Sequence, residues 1–280
     1  MNLLSVTQLA DALAANKNIQ IIDARFSLAN ADSGLKMYES AHIPGALYVD
    51  LNKDLSSEKD NPLLGRHPLP SAEQFSALLS RLGITPETHV VVYDQVDGAM
   101  AASRFWFLMR LAGHKNISVL DGGMNAWLAA QLPVEQSIAH VIASNYSVQF
   151  NTNMLITANE MKTLLSNSQD TVLLDARAPE RFRGEIEPLD LKAGHIPGAV
   201  NRPFSLNMAD GLFKSSEQLR AEFLPFIEGK QNIVLSCGSG VTACHNALAL
   251  SHAGIENYRL FAPSWSGWVA DDRNDIAVGE

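Results

Sequence analysis

The chain is poor in cysteine, poor in net positive charge and free of long apolar runs. Cys237 and Cys244 are its only cysteines among 280 residues, so no disulfide framework holds it together and a reducing compartment suits it. The 21 Lys and Arg residues against 30 Asp and Glu leave a formal charge of −9. That balance lacks the basic footprint by which nucleic acids or anionic membrane surfaces are bound. No stretch approaches the ~20 consecutive apolar residues of a membrane span, and the N-terminus has no basic region followed by an apolar run. The chain therefore reads as cytoplasmic. What it does have is apolar material: 46% hydrophobic residues are enough for two ordinary cores.

Those two cores are announced by an internal repeat. "IIDAR" ending at Arg25 recurs as "LLDAR" ending at Arg177, and "HIPGA" from His42 recurs from His195. "SAEQF" from Ser71 pairs with "SSEQL" from Ser215, "VVVYD" ending at Asp94 with "IVLSC" ending at Cys237, and Trp127 with Trp268, in the same order. Each copy is long enough to close its own core, so the repeat is a duplicated domain rather than a solenoid. The stretch from Leu132 to Thr157 has no counterpart and is polar, which marks it as a surface connector.

Within each half, short apolar runs (Ile19 to Asp23, Val90 to Tyr93, Val172 to Leu174, Ile233 to Ser236) alternate with helix-period segments such as Ser71 to Leu82 and Ser216 to Phe226. Alternation of this kind predicts an α/β fold, a mostly parallel sheet flanked by helices. Thr7, Ser71, Thr157 and Ser215 stand where hydroxyl N-caps belong.

In such a sheet, ligands bind beyond the carboxyl ends of the strands, where loops lead into helix N-termini that attract anions. Cys237 sits there, opening "CGSGVTA" between the strand "NIVLS" and a helical segment. Gly238 and Gly240 give the turn conformations closed to other residues, so successive amides, that of Val241 included, converge on one point and stabilise a thiolate nucleophile. Ser239 and Thr242 add hydroxyls that either serve the same anion or cap the following helix. Cys244, seven residues on, reads as a small apolar side chain packed on the sheet. A cysteine phosphatase would need an arginine six residues after its nucleophile, and that position is Ala243. No histidine lies in a cysteine protease signature.

Together, "CGSGVTA", the paired "HIPGA" segments, "DAR" after an apolar strand and "RFRG" at Arg181 to Gly184 resemble the tandem-domain rhodanese family over nearly the whole chain. Within it, the neutral loop resembles the branch that takes sulfur from 3-mercaptopyruvate, whereas the thiosulfate branch carries basic residues where Gly238 and Ser239 stand. The resemblance implies a non-catalytic N-terminal domain (1–135), a linker (136–155) and a catalytic C-terminal domain (156–280). It implies a sulfur donor, a persulfide on Cys237 and a thiol, cyanide or thioredoxin-like acceptor, with no metal or organic cofactor. Thiosulfate remains the alternative donor, and a catalytically silent binding module the non-enzymatic alternative.

The resemblance also makes Arg181 the anchor for the donor's carboxylate, with Arg183 beside it, and places Asp50, His67 and Arg104 near the site. Each has a bland alternative: an ion pair for Arg181, a turn cap for Asp50, a packed imidazole for His67, a buried ion pair for Arg104. The branch usually has a second arginine before "GHIPG". This chain reads "EPLDLKAGH", with Leu189 at that position and Lys192 as the nearest substitute cation. His42 and His195, Asp23 with Arg25, and Asp175 with Arg177 recur in both halves, only one of which has a nucleophile, so they read as fold support. Trp265 and Trp268 are candidates to line the pocket.

Overall fold

The short apolar runs become the central strands of two parallel sheets. In the computed structural model, which describes residues 2–15, 18–28, 30, 32–166 and 169–280, the first half contains β1 (Leu3–Leu4), α1 (Val6–Ala14), β2 (Ile19–Asp23), α2 (Ser33–Ser40), β3 (Leu47–Tyr48), α3 (Ala72–Arg81), β4 (His89–Tyr93), α4 (Ala101–Leu111), β5 (Ile117–Leu120) and α5 (Gly123–Ala129). The second contains α6 (Ala158–Leu165), β6 (Thr171–Asp175), α7 (Pro179–Phe182), β7 (Ala199–Asn201), the two-residue strands β8 (Met208–Ala209) and β9 (Leu212–Phe213), α8 (Ser216–Ile227), β10 (Asn232–Ser236), α9 (Thr242–His252), β11 (Tyr258–Leu260) and α10 (Ser264–Trp268). The strand orders are β1-β5-β4-β2-β3 and β11-β10-β6-β7, parallel throughout. The place of β1 is taken in the second sheet by a single bridge from Leu155 to Leu260. Helices cover both faces of such a sheet, so β6 is buried at every residue and its sequence reads as apolar without alternation.

Four helices begin with reciprocal capping boxes, at Ser5, Ser71, Thr157 and Ser215. Thr7, expected as a cap, lies inside α1. Ser5 takes the role because its side chain accepts the Gln8 N–H while its own N–H donates to Gln8 Oε1 at 2.9 Å. The duplicated motifs are duplicated supports. Arg25 donates to Asp23 at 2.6 Å and Arg177 to Asp175 at 2.8 Å, both pairs buried. His42 stacks on Tyr38 and His195 on Phe182, each with Nδ1 on a backbone oxygen. Trp127 and Trp268 bond the carbonyls of Pro133 and Asp275.

By contact the chain divides into two compact units that are not contiguous in sequence. The first comprises Met1–Ser57, Leu69–Asn151 and Asp210–Phe213; the second comprises Glu58–Pro68, Thr152–Ala209 and Lys214–Glu280. The strap Glu58–Pro68 therefore lies in the N-terminal half of the sequence but folds with the second unit. Its single turn Pro62–Leu64 is capped by Asn61, and Gly65, at φ +85°, passes so close to α10 that a Cβ would meet the Pro263 carbonyl at 2.5 Å. Only glycine allows that approach. The segment before Asn151 is irregular yet tied to its own unit, with Val148 N–H on Ser76 Oγ and Tyr146 N–H on Ser80 Oγ. Among the described residues no helix is long and apolar enough to cross a membrane.

Candidate active site

Strand β10 delivers Cys237 to the carboxyl edge of the second sheet, where its side chain is 2% exposed. The Gly240 N–H donates to Cys237 Sγ at 3.1 Å. This contact depends on glycine: Gly240 has φ +77°, and a Cβ there would meet the Ala262 carbonyl at 2.3 Å. Gly238, by contrast, is outside the left-handed region and is not required by conformation. A methyl group on it would sit 3.3 Å from Arg66 Nη2 and 3.4 Å from Arg181 Nη2, so two guanidinium groups converge beside the residue that follows the cysteine.

Both cations are held by buried carboxylates. Arg181 donates to Glu187 at 2.7 Å and to Asp190 at 3.3 Å, while Arg66 donates to the other oxygen of Asp190. Burial would raise the Glu187 carboxyl, but Arg181 and the amides of Leu189 and Asp190 hold it below the usual carboxylate range. Burial wins at Asp190 and pushes its carboxyl up, Glu187 adding to the shift while Arg66 and Arg181 oppose it. Among the described residues the Nε of Arg66 is one of the few buried polar atoms with no hydrogen-bond partner.

His67, next in the strap, places Nδ1 2.9 Å from Ser239 Oγ. A hydroxyl bonded to an imidazole is a path for a proton, and it lies two residues from the thiol. Thr242 is the first residue of α9 and caps nothing; the N-cap position is Val241, whose carbonyl accepts the Cys244 amide at 3.0 Å. Cys244 is fully buried and donates its thiol to the Gly240 carbonyl at 3.2 Å, so it braces the loop as well as filling space.

The other expected residues make the following contacts. Arg183 pairs with Glu185 at 2.7 Å at the surface, pointing away from the Arg181 cluster because the short helix α7 ends between them. Lys192, the expected substitute cation, pairs with Asp272 at 2.7 Å instead, since its stretch runs along the surface. Trp265 and Trp268 belong to the hydrophobic core of the second unit: Trp265 bonds the Lys192 carbonyl and carries the Arg177 guanidinium over its ring at 4.9 Å. Asp50 and Arg104 fold within the first unit. Asp50 caps a turn by accepting from Asn52 and Lys53 amides, and the fully buried Arg104 reaches the Leu55 carbonyl at 3.4 Å.

Two contributors carry no signal in their local sequence. Arg66 had only its place beside His67 to mark it, and Ser264 only its place in "PSWSGW"; neither residue is near Cys237 in the chain.

Two similar parallel α/β units, one with a cysteine that accepts from a loop amide at a strand end and two guanidinium groups beside that loop, define a duplicated α/β protein with a single thiol-bearing loop. The comparisons make this specific. The model of the rhodanese-like domain matches residues 5–130 and again 157–271. A Pseudomonas aeruginosa protein named "probable 3-mercaptopyruvate sulfurtransferase" is 40% identical, over 99% of this chain and 98% of its own. The human 3-mercaptopyruvate sulfurtransferase is 36% identical, over 99% of this chain and 95% of its own. The crystal structure of the 3-mercaptopyruvate enzyme SseA from Escherichia coli superposes with a TM-score of 0.81 at 31% identity, covering 94% of this chain and 98% of that one. The chain belongs to the rhodanese family and is a sulfurtransferase.

Proposed function

We propose that the donor is 3-mercaptopyruvate and that Cys237 carries the sulfur as a persulfide to a thiol, cyanide or thioredoxin-like acceptor in a reducing, cytoplasmic compartment. The observation that carries this reading is the convergence of Arg66 and Arg181 beside Gly238. A planar carboxylate accepts paired hydrogen bonds from guanidinium groups, and in mercaptopyruvate it lies far enough from the sulfur to reach them while the sulfur meets Cys237. Arg66 supplies the second cation that Leu189 cannot.

In this reading the Cys237 thiolate attacks the donor sulfur, a sulfur–sulfur bond forms and the carbon–sulfur bond breaks. The electron pair leaves on the enolate of pyruvate, and the proton released by the donor thiol passes through Ser239 and His67 to the enolate carbon. The Gly240 amide, at a helix N-terminus, stabilises sulfur charge before and after transfer. An acceptor thiolate or cyanide then takes the outer sulfur and regenerates the Cys237 thiolate.

The test compares kcat/KM for 3-mercaptopyruvate and thiosulfate with one acceptor, and measures the mass of the Cys237 peptide after each donor. Preference for mercaptopyruvate with one added sulfur on Cys237 is expected. A thiosulfate preference would move the donor assignment and keep the persulfide; no added sulfur from either donor would overturn the proposal and favour a silent binding module.

A further inference from the structure

The turn that follows β11 grips the nucleophile's backbone. The Trp265 N–H donates to the Cys237 carbonyl at 3.0 Å and the Ser266 N–H to the Gly238 carbonyl at 2.9 Å. The first unit has the same turn after β5: the Met124 N–H donates to the Asp94 carbonyl at 2.9 Å and the Asn125 N–H to the Gln95 carbonyl at 3.0 Å. The residue opening each turn is in the left-handed region, at φ +56° for Gly123 and φ +53° for Ser264. Glycine adopts that conformation freely, whereas a serine there is strained.

The half without a nucleophile thus keeps the residue that the backbone prefers, and the half with the nucleophile does not. What the serine adds is a hydroxyl. Ser264 Oγ accepts the Cys237 N–H at 3.0 Å and donates to the Phe261 carbonyl at 3.0 Å, with the side chain fully buried. The Cys237 amide and carbonyl are then both fixed, and with them the direction of its Cα–Cβ bond toward the Gly240 amide. A strained residue that persists where an unstrained one fits the same turn points to function.

We infer that Ser264 is a positioning residue for Cys237: its hydroxyl holds the cysteine backbone so that the sulfur meets the Gly240 amide, at the expense of strain that the other half avoids. This rests on Cys237 being the nucleophile and does not depend on which donor is used. Ser264 touches no substrate and acts through the cysteine alone.

Two variants separate the hydroxyl from the strain. Ser264→Ala removes the hydroxyl and keeps the strain, whereas Ser264→Gly removes both. The readouts are the melting temperature, the rate of Cys237 alkylation by iodoacetamide at neutral pH with the modified peptide identified by mass, and kcat/KM for sulfur transfer. Positioning by the hydroxyl predicts that both variants lose kcat/KM by about 10- to 100-fold, as small displacements of reacting groups do. Alkylation slows in both, while the glycine variant melts higher than the alanine variant by about 2–4 °C.

Activity that tracks stability, with Ser264→Gly near wild type, would overturn the inference, as would alkylation that is unchanged or faster in both variants. Alkylation needs no sulfur donor. A wild-type protein that forms no persulfide would therefore overturn the sulfur-transfer reading, while the alkylation rates would still decide the role of Ser264.

Discussion

The loops after β4 and β10 are the same device put to different uses. In the second unit the anion site is filled by the Cys237 sulfur, which accepts from Gly240. In the first it is filled by a carboxylate: Asp94 Oδ1 accepts from Gly98 at 2.8 Å and from Val96 at 3.2 Å. A carboxylate oxygen is a far weaker nucleophile toward sulfur than a thiolate, and it occupies the amides that an external anion would use. Both halves thus share the fold, and the second has a thiol where the first has a carboxylate. An amide-lined turn at a strand end is a place for an anion, and the side chain that enters it decides whether the place is reactive.

The sharpest way to break the comparison is to remove the sulfur. Cys237→Ser is expected to lower sulfur transfer by at least about 10³-fold, because a hydroxyl is scarcely ionised where a thiol is. The nearly isosteric change should leave the melting temperature within about 2 °C of wild type. A mutant that unfolds would make Cys237 structural first and chemical second.

The next effect concerns the two cations beside the second loop. Arg181→Ala and Arg66→Ala should each raise KM for 3-mercaptopyruvate by about 10- to 100-fold, the worth of hydrogen bonds to a charged group, with a smaller change in kcat. Steady-state kinetics with pyruvate as product inhibitor checks this, since pyruvate carries the carboxylate without the sulfur. Equal inhibition of wild type and both variants would remove the carboxylate from these arginines.

The smallest effect belongs to the first loop. Burial, with the charge of Asp97 adding and the amides of Gly98, Met100 and Val96 opposing, leaves the Asp94 carboxyl pushed up to about 7. The folded state then binds a proton that the unfolded state has released. The stability from that proton is complete below the ordinary carboxylate range and is lost as pH rises through about 7. One proton corresponds to a slope of at most about 1.4 kcal/mol per pH unit. Urea unfolding at pH 5 to 8 should therefore show Asp94→Asn with a flatter dependence than wild type, and parallel curves would mean that Asp94 is charged in both states.

Much of this was legible in the chain. The repeat, the parallel sheets, the helix caps at Ser71, Thr157 and Ser215, and the loop at Cys237 all rest on local patterns: strand periodicity, hydroxyls placed before helix-period stretches, glycines at a turn. Thr7 was misread because two hydroxyls stand close together and only the reciprocal bond from Gln8 selects Ser5. Lys192 was misplaced because charge and proximity in sequence do not say which carboxylate a flexible side chain meets. The resemblance pointed to Arg181, which the structure places beside Gly238 and pairs with Glu187, and nothing local pointed to Arg66.

By itself, then, the sequence determined two α/β halves and the glycine-flanked cysteine loop at a strand end of the second, because backbone propensities and burial patterns act over a few residues at a time. Tertiary structure decided the rest of the site. The strap Glu58–Pro68 joins the second unit and brings Arg66 and His67 beside Gly238 and Ser239, and the turn at Ser264 closes on Cys237. Such contacts link residues far apart in the chain, and they come from the close approach that glycine allows and from hydrogen bonds that buried groups must find. Neither cause leaves a periodicity to read.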